Sequence, residues 1–547
     1  MNKLSNKKTT NHQSSLKGLS MKRLVLLAIT LVLISCTDPQ NIKPIQYELV
    51  IAGGRVIDPE SGFDQTTNVA INNGKIAAIS KLPLAGIETI DASGLVVSPG
   101  FIDIHSHALS KIGHQFQAMD GVTTALELEA GVYPIDALSQ ILGGKSVINY
   151  GASVSHLAIR QLVMDRIQKP HLLSPAVPLP QKKPNKMPEE VGLEIASESS
   201  QSNPQGNTQP NITAFIEEAS EQDRAAIQSH LEQGIANGGL GIGFLLDYLS
   251  EVVTTDELDV IFEVASAGNV PVFTHIRRGL PGDPAGLEEI ISLAKKHQTS
   301  VHICHLNSSA MGGIQHFLDL IATARADGLD ITSEAYPYNA GSTGISAAVF
   351  SRDWQSIFGI TYQDIEWAAT GERFTQSMWN DYRKRFPDGQ VINHYGEEAW
   401  TRTALEAPGI IVASDAMPLA SANQRVHPRG IGTFSKMLGH YTASGDRAAT
   451  IDLITALAKM TVLPAKRMEE FAPAFRLKGR LRQGFDADLT LFDPIEIMGM
   501  ASYKVPMSPS KGIQYVLVNG EFVLRDGELV EGALPGRLIK GAGGTTP

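Results

Sequence analysis

Ten residues constrain this chain more than any others: Ser98-Pro-Gly-Phe-Ile-Asp-Ile-His-Ser-His107. With Leu95-Val96-Val97 ahead of it, the segment is a largely apolar run that ends in two histidines one residue apart. On a β-strand, residues i and i+2 point to the same side. His105 and His107 are therefore expected to project together from the strand's C-terminal end and to grip one cation. Asp103 shares that face one step below. An isolated His-x-His on a surface means little; one that closes a buried strand opened by Pro99-Gly100 reads as half of a metal site.

The 547 residues are too many for one core and suit a large barrel with a smaller domain. A net charge of −11 with no basic stripe argues against a nucleic-acid partner. Two cysteines leave no room for a disulfide framework or a cysteine-rich zinc module. Met21-Lys22-Arg23, the apolar run Leu24 to Ile34 and then Ser35-Cys36 have the form of a signal peptide, too short for a comfortable membrane span. Leu33-Ile34-Ser35-Cys36 resembles a bacterial lipobox. Residues 1–36 are read as a signal peptide and lipobox, and residues 37–46 as a tether. The chain would then be exported to the periplasmic face of a membrane. Its only membrane contact would be a lipid on Cys36. The alternative is an ordinary signal peptide and a soluble periplasmic protein.

Residues 47–97 read as short strands, with Asn73-Gly74 as a hairpin signal, and residues 475–547 have the same character. The two ends are expected to pair into one small composite β-sandwich domain. Strand-like and helix-like stretches alternate through residues 98–474, as in a TIM-like (β/α)8 barrel of the α/β class. A stretch rich in Pro, Ser, Asn and Gln, residues 165–212, breaks the alternation between the third and fourth barrel strands as a lid or a mobile insertion.

More strand ends carry ligand-type side chains. In Gly121-Val-Thr-Thr-Ala-Leu-Glu-Leu-Glu-Ala-Gly131, alternation puts Glu127 and Glu129 on one face and Val122, Leu126 and Leu128 on the other. With the apolar face against the helices, both glutamates point inward, where a carboxylate needs a cation or donors. Glu129, nearer the strand end, is assigned as a metal ligand bridging two ions, with Glu127 as the alternative. Pro271 to Arg277 is a strand ending in His275, and Ser300 to Asn307 one ending in His305. In the latter, Val301, Ile303 and His305 share a face, so His302 and Cys304 are read as packing residues. Gly409 to Asp415 is an apolar strand ending in a carboxylate. Histidine nitrogens and carboxylate oxygens are ligands that zinc accepts in catalytic sites, so one or two divalent ions are expected.

At this point the chain resembles the amidohydrolase superfamily, and within it the N-acyl-D-amino-acid deacylases (the D-aminoacylase family), from about Tyr47 to Lys540. Pro99 to His107 matches the family's first metal motif, and Gly238 to Tyr248 resembles its fourth strand. Thr274-His-Ile-Arg277, Cys304-His-Leu-Asn307, Tyr336 to Thr343, Ser414-Asp415 and His427-Pro-Arg-Gly-Ile-Gly-Thr-Phe434 resemble later strands and loops. Gly479 to Leu489 and Leu534-Pro-Gly-Arg537 resemble its closing segment. Two positions depart from the family. Its metal-binding cysteine at the end of strand two is Ala130 here, with Glu129 beside it. Its lysine after the strand-six histidine is Asn307, which argues against an acidic substrate side chain.

The resemblance implies metal-assisted hydrolysis of the linear amide bond of small N-acyl-D-amino acids. Asp415 would take a proton from water and pass it to the leaving amine, with His156 as one candidate oxyanion donor or else a structural histidine. Arg429 would anchor the substrate carboxylate through its planar fork. Tyr248, Tyr338 and Ser342 would assist, or serve ordinary loop packing; Arg277 and Arg278 would reach the site or face solvent. Competing readings are a cyclic-amide hydrolase (dihydropyrimidinase- or dihydroorotase-like) or deaminase on the same scaffold, and a non-catalytic surface-binding lipoprotein. The oligomeric state stays open.

Overall fold

Pro99-Gly100 divides the opening run between two sheets. In this computed structural model, which describes residues 46–167, 169, 213–442 and 449–544, Val96–Pro99 joins an outer sheet and Phe101–Asp103 begins the barrel. Gly100 permits the join because any β-carbon there would collide with Thr123 on the next barrel strand. Tyr47–Pro547 forms one compact unit. The proposed signal peptide, lipobox, all of the tether but Gln46, which opens the first strand, and nearly all of the 165–212 insertion lie outside the described residues.

The barrel strands are Phe101–Asp103, Val122–Val132, Asn149–Ser155, Ile242–Phe244, Val272–Thr274, Val301–Ile303, Ile331–Ala335 and Ile410–Val412. They are hydrogen-bonded in sequence order, each pair parallel. Past the last strand, the Asp415 amide donates to His105 O (2.8 Å) and the His107 amide to Ala416 O (2.9 Å), which brings the eighth strand round to the first. The motif segments thus meet at the C-terminal mouth, where barrel chemistry is carried.

Strands all round the barrel fill its interior with Ile102, Leu126, Leu128, Phe273, Cys304 and Ile411. The opposite strand faces, among them Val122, Val272, Val301, Ile303 and Ile331, pack with the helices in the main core. Two alternation readings are thereby corrected. Leu126 and Leu128 face the interior rather than the helices. His302 and Cys304 also face inward, and Val301 and Ile303 outward. His305 reaches the mouth only because its backbone leaves the strand with φ of +35°.

The chain ends build one nine-stranded sheet, joined where Val96–Pro99 pairs antiparallel with Leu489–Phe492. Asn73 and Gly74 take the positive φ angles (50° and 71°) that the expected hairpin requires. After Ser155 caps the helix His156–Asp165, the Asp165 carboxylate accepts from the amides of Thr213 (2.6 Å) and Ala214 (3.0 Å). The two ends of the insertion are therefore clamped together. A second excursion, between the seventh and eighth strands, was not legible in the sequence. It is a four-stranded antiparallel sheet of Gly341–Gly344, Ile365–Trp367, Glu372–Arg373 and Gln390–Asn393. Phe350, Trp354, Phe358, Trp367, Phe374 and Trp379 pack together as its core.

Candidate metal centre

Four histidines converge at the barrel mouth with ring nitrogens facing one another. His105 Nε2 stands 3.2 Å from His107 Nε2, and His305 Nε2 stands 3.0 Å from His275 Nδ1. Glu129 lies between the pairs. Its Oε2 is 3.3 Å from His105 Nε2 and 3.5 Å from His107 Nε2; its Oε1 is 2.8 Å from His305 Nε2 and 3.2 Å from His275 Nδ1. Asp415 Oδ1 is 3.5 Å from both His105 Nε2 and His107 Nε2. All six side chains are buried.

This arrangement fits divalent cations. Ligand atoms about 2.1 Å from a tetrahedral ion stand about 3.4 Å apart, close to the spacings here. The donors fall into two groups, His105, His107 and Asp415, and Glu129, His275 and His305. The remaining ring nitrogens are steered from behind. His107 Nδ1 meets Glu127 Oε2 at 2.8 Å, His105 Nδ1 meets Glu334, and His305 Nδ1 meets Ser309 Oγ at 3.2 Å. Such partners fix the tautomer and orientation of metal-binding histidines. His275 Nε2 has no hydrogen-bond partner and lies 3.6 Å from Asp247 Oδ2. Burial alone would lower the His105 and His107 pKa values. The carboxylates, Glu334 foremost for His105 and Glu127 for His107, outweigh it and push both well up. The field that holds a proton there holds a cation equally well. Burial and the neighbouring His275 bring His305 down to about 4, so it presents a neutral imidazole.

Asp415 is raised by burial, but Arg429 and His105 more than offset this and keep it below its ordinary value. Arg429 Nη2 lies 2.8 Å from Asp415 Oδ1, its Nε donates to Asp415 O at 2.5 Å, and its guanidinium sits 4.8 Å from the Tyr336 ring centre. The expected substrate anchor is therefore also tied to the expected base. Tyr248 reaches the site edge-on to His275, ring centres 5.2 Å apart, with its hydroxyl 3.0 Å from Thr343 Oγ1.

Other expected site residues lie elsewhere. His156 meets none of these ligands in any described contact. It opens the helix after strand three, its ring packs on Phe244, and its Nε2 lies 2.9 Å from Glu257 Oε1, so it serves the wall behind the mouth. Ser342 donates to Val391 O (2.9 Å) inside the four-stranded sheet, and that bond spends its hydroxyl. Tyr338 is buried against His427, with Lys436 Nζ 4.0 Å above its ring centre and its hydroxyl 3.5 Å from Ala501 O. Asp103 does not share a face with the histidines. The strand ends there, and its carboxylate accepts from Gln117 Nε2 (2.8 Å) and from the amides of Ser414 (3.0 Å) and His105 (3.2 Å), tying strand one to strand eight. Asn307 donates to Tyr336 O at 3.1 Å and lines a small cavity with Ser308, Tyr336 and Tyr395. His302, read as packing, joins a polar chain through Thr332 Oγ1 (2.8 Å) and Glu334 Oε2 (3.1 Å). Sequence reasoning missed Glu334, Asp247 and Arg352. A signal existed for the first, a carboxylate inside the otherwise uncharged run Ile331-Thr-Ser-Glu-Ala335.

A sequence profile of the amidohydrolase family matches residues 96–523. D-aminoacylase from Alcaligenes xylosoxydans xylosoxydans is 26% identical over 540 residues, spanning 90% of this chain and 97% of that one. A crystal structure of D-aminoacylase superposes with a TM-score of 0.70 at 23% identity, covering 90% of this chain and 100% of that one. The N-acyl-D-glutamate deacylase of Bordetella bronchiseptica, solved with zinc and a phosphonate inhibitor, gives 0.69 at 23% identity, covering 91% and 100%. The barrel, its order of strands and the profile agree: this chain belongs to the amidohydrolase family.

Proposed function

We infer that this protein is a zinc-dependent hydrolase of N-acyl-D-amino acids, releasing a carboxylate and a free D-amino acid. The observation that carries the reading is Glu129, whose two oxygens address separate histidine pairs. A carboxylate so placed could serve both histidine pairs. D-aminoacylase, similar along nearly its whole length, supports the substrate class and its stereochemistry.

His105, His107 and Asp415, and Glu129, His275 and His305, would hold one or two zinc ions, which would supply Lewis acidity, making water more acidic and the amide carbonyl more electrophilic. The chain's own groups do the rest. Asp415, kept ionised by Arg429, takes the proton from the attacking water and hands it to the leaving nitrogen. Arg429 shares its charge between Asp415 and the substrate carboxylate. Tyr248, beside His275, walls the pocket and offers its hydroxyl to the substrate. Glu127 and Glu334 hold the ligand rings in aim.

A panel of N-acetylated D- and L-amino acids, read by free amine release, tests the assignment. Release from the D-series is expected. Hydrolysis of the L-series alone, or of hydantoins and dihydropyrimidines instead, rejects it. We also propose that the enzyme is held at a membrane surface by a lipid on Cys36, a reading supported by the Leu33-Ile-Ser-Cys36 run. No helix among the described residues is long and apolar enough to cross a membrane. Cys36→Ser is expected to move the protein from the membrane to the soluble fraction.

A further inference from the structure

The guanidinium groups around the mouth are nearly all neutralised. Arg277 Nε lies 2.9 Å from Glu289, Arg352 Nη1 2.7 Å from Asp247, and Arg429 Nη2 2.8 Å from Asp415. Arg278, three residues beyond His275, is different. Among the described residues no carboxylate forms a salt bridge with it. Its Nη2 donates to a neutral group, Ser308 Oγ (2.9 Å), and its Nε is buried without a partner. Asp247 is near enough to act on it electrostatically but forms no salt bridge with its guanidinium. That carboxylate accepts Arg278's own backbone amide (2.9 Å) and pairs with Arg352.

The surroundings hold Arg278 in place for an incoming anion. Its guanidinium carbon lies 5.5 Å from the Phe358 ring centre and 5.8 Å from that of Tyr395, both from the excursion after strand seven. Ser308 and Tyr395 are hydrogen-bonded to each other and line a small cavity together with Tyr336. A desolvated guanidinium is costly unless an anion joins it, and its fork suits a carboxylate. On the deacylase reading Arg429 takes the substrate's α-carboxylate, so the anion left for Arg278 is a second one.

We propose that Arg278 is a specificity-determining residue that receives a side-chain carboxylate, so that the preferred substrates are N-acyl derivatives of acidic D-amino acids. The inference rests on the deacylase reading and replaces the expectation, drawn from Asn307, that an acidic side chain would be refused. The cation has moved from strand six to the loop after strand five.

The test compares kcat/KM for N-acetyl-D-glutamate with that for the isosteric N-acetyl-D-glutamine, in the zinc-loaded full chain and in Arg278→Met and Arg278→Lys. A charge-assisted pair predicts a preference for the glutamate compound of about 10- to 100-fold. Arg278→Met should erase that ratio, and Arg278→Lys should keep part of it. A wild-type ratio near one overturns the proposal without any variant, as does a ratio that survives Arg278→Met. Hydrolysis of N-acetyl-D-methionine with no preference for the acid leaves the deacylase reading standing and removes only this inference. Failure to hydrolyse any N-acetyl-D-amino acid removes both.

Discussion

Two buried clusters of histidine and carboxylate sit in the same barrel wall and differ in kind. At the mouth, His105, His107, His275 and His305 turn ring nitrogens toward each other around Glu129 and Asp415. Behind strand three, His156 meets Glu257, but Arg160 completes the pair and spends its other nitrogens on Ala214 O and Glu217 O. The second cluster carries its own cation and ties helix His156–Asp165 to Glu257 in helix Thr255–Ala267. The first has carboxylates in surplus and ring nitrogens turned toward one another, an arrangement that bound cations satisfy. Buried histidines therefore mark a metal site by what they face.

Removing the metal breaks the comparison most directly. Dialysis against a chelator should lower turnover by a factor on the order of 10³ or more, with recovery on adding zinc. A fully active preparation lacking any transition element ends the metal assignment. Asp415→Asn should cut kcat by about 10³ while the fold persists, measured by steady-state kinetics beside circular dichroism. Unchanged turnover means that another group is the base. Glu129→Gln should reduce bound zinc by about one ion per chain by elemental analysis and lower activity by about 10². A full metal complement would show that Glu129 does not bridge.

The second cluster should respond the other way. Glu257→Gln strands Arg160 and is expected to cost about 3 kcal/mol of stability by denaturant melt, with kcat per folded molecule within about twofold of wild type. Burial pushes Glu257 up, but His156 and Arg160 more than offset it, so its folded pKa lies below the ordinary 4.5. For a depressed carboxylate, the stabilisation is complete above the unfolded pKa and is lost as pH falls through the folded one. The wild type should thus lose stability on acidification below about pH 4.5, and Glu257→Gln should flatten that slope. The smallest effect concerns Asp415. Replacing Arg429 with Met removes the foremost group that holds the Asp415 pKa down and leaves only the histidines to oppose burial, so the acid limb of kcat/KM should move to higher pH. An unmoved limb means that Arg429 does not tune the base.

Legibility followed the range of the interactions. His105, His107, His275 and Asp415 could be found because each ends a strand-like run, and Asn73-Gly74 because its backbone demand is local. His305 was found through a false alternation. Its side chain reaches the centre only by leaving the strand, a turn that period-two reasoning does not contain. Ser342 and Tyr338 could have been pocket or packing residues until the excursion after strand seven supplied Val391 to the first and the C-terminal segment supplied Ala501 to the second.

The order of strands and the identities of the ligand-type residues at their ends follow from the chain alone, since they depend on local periodicity and turn chemistry. Which nitrogen faces which, and whether a cation such as Arg160 or Arg278 finds its counter-ion, was decided by tertiary structure. His156 and Glu257 are 101 residues apart, and only closure of the barrel and packing of its helices brings such groups within reach.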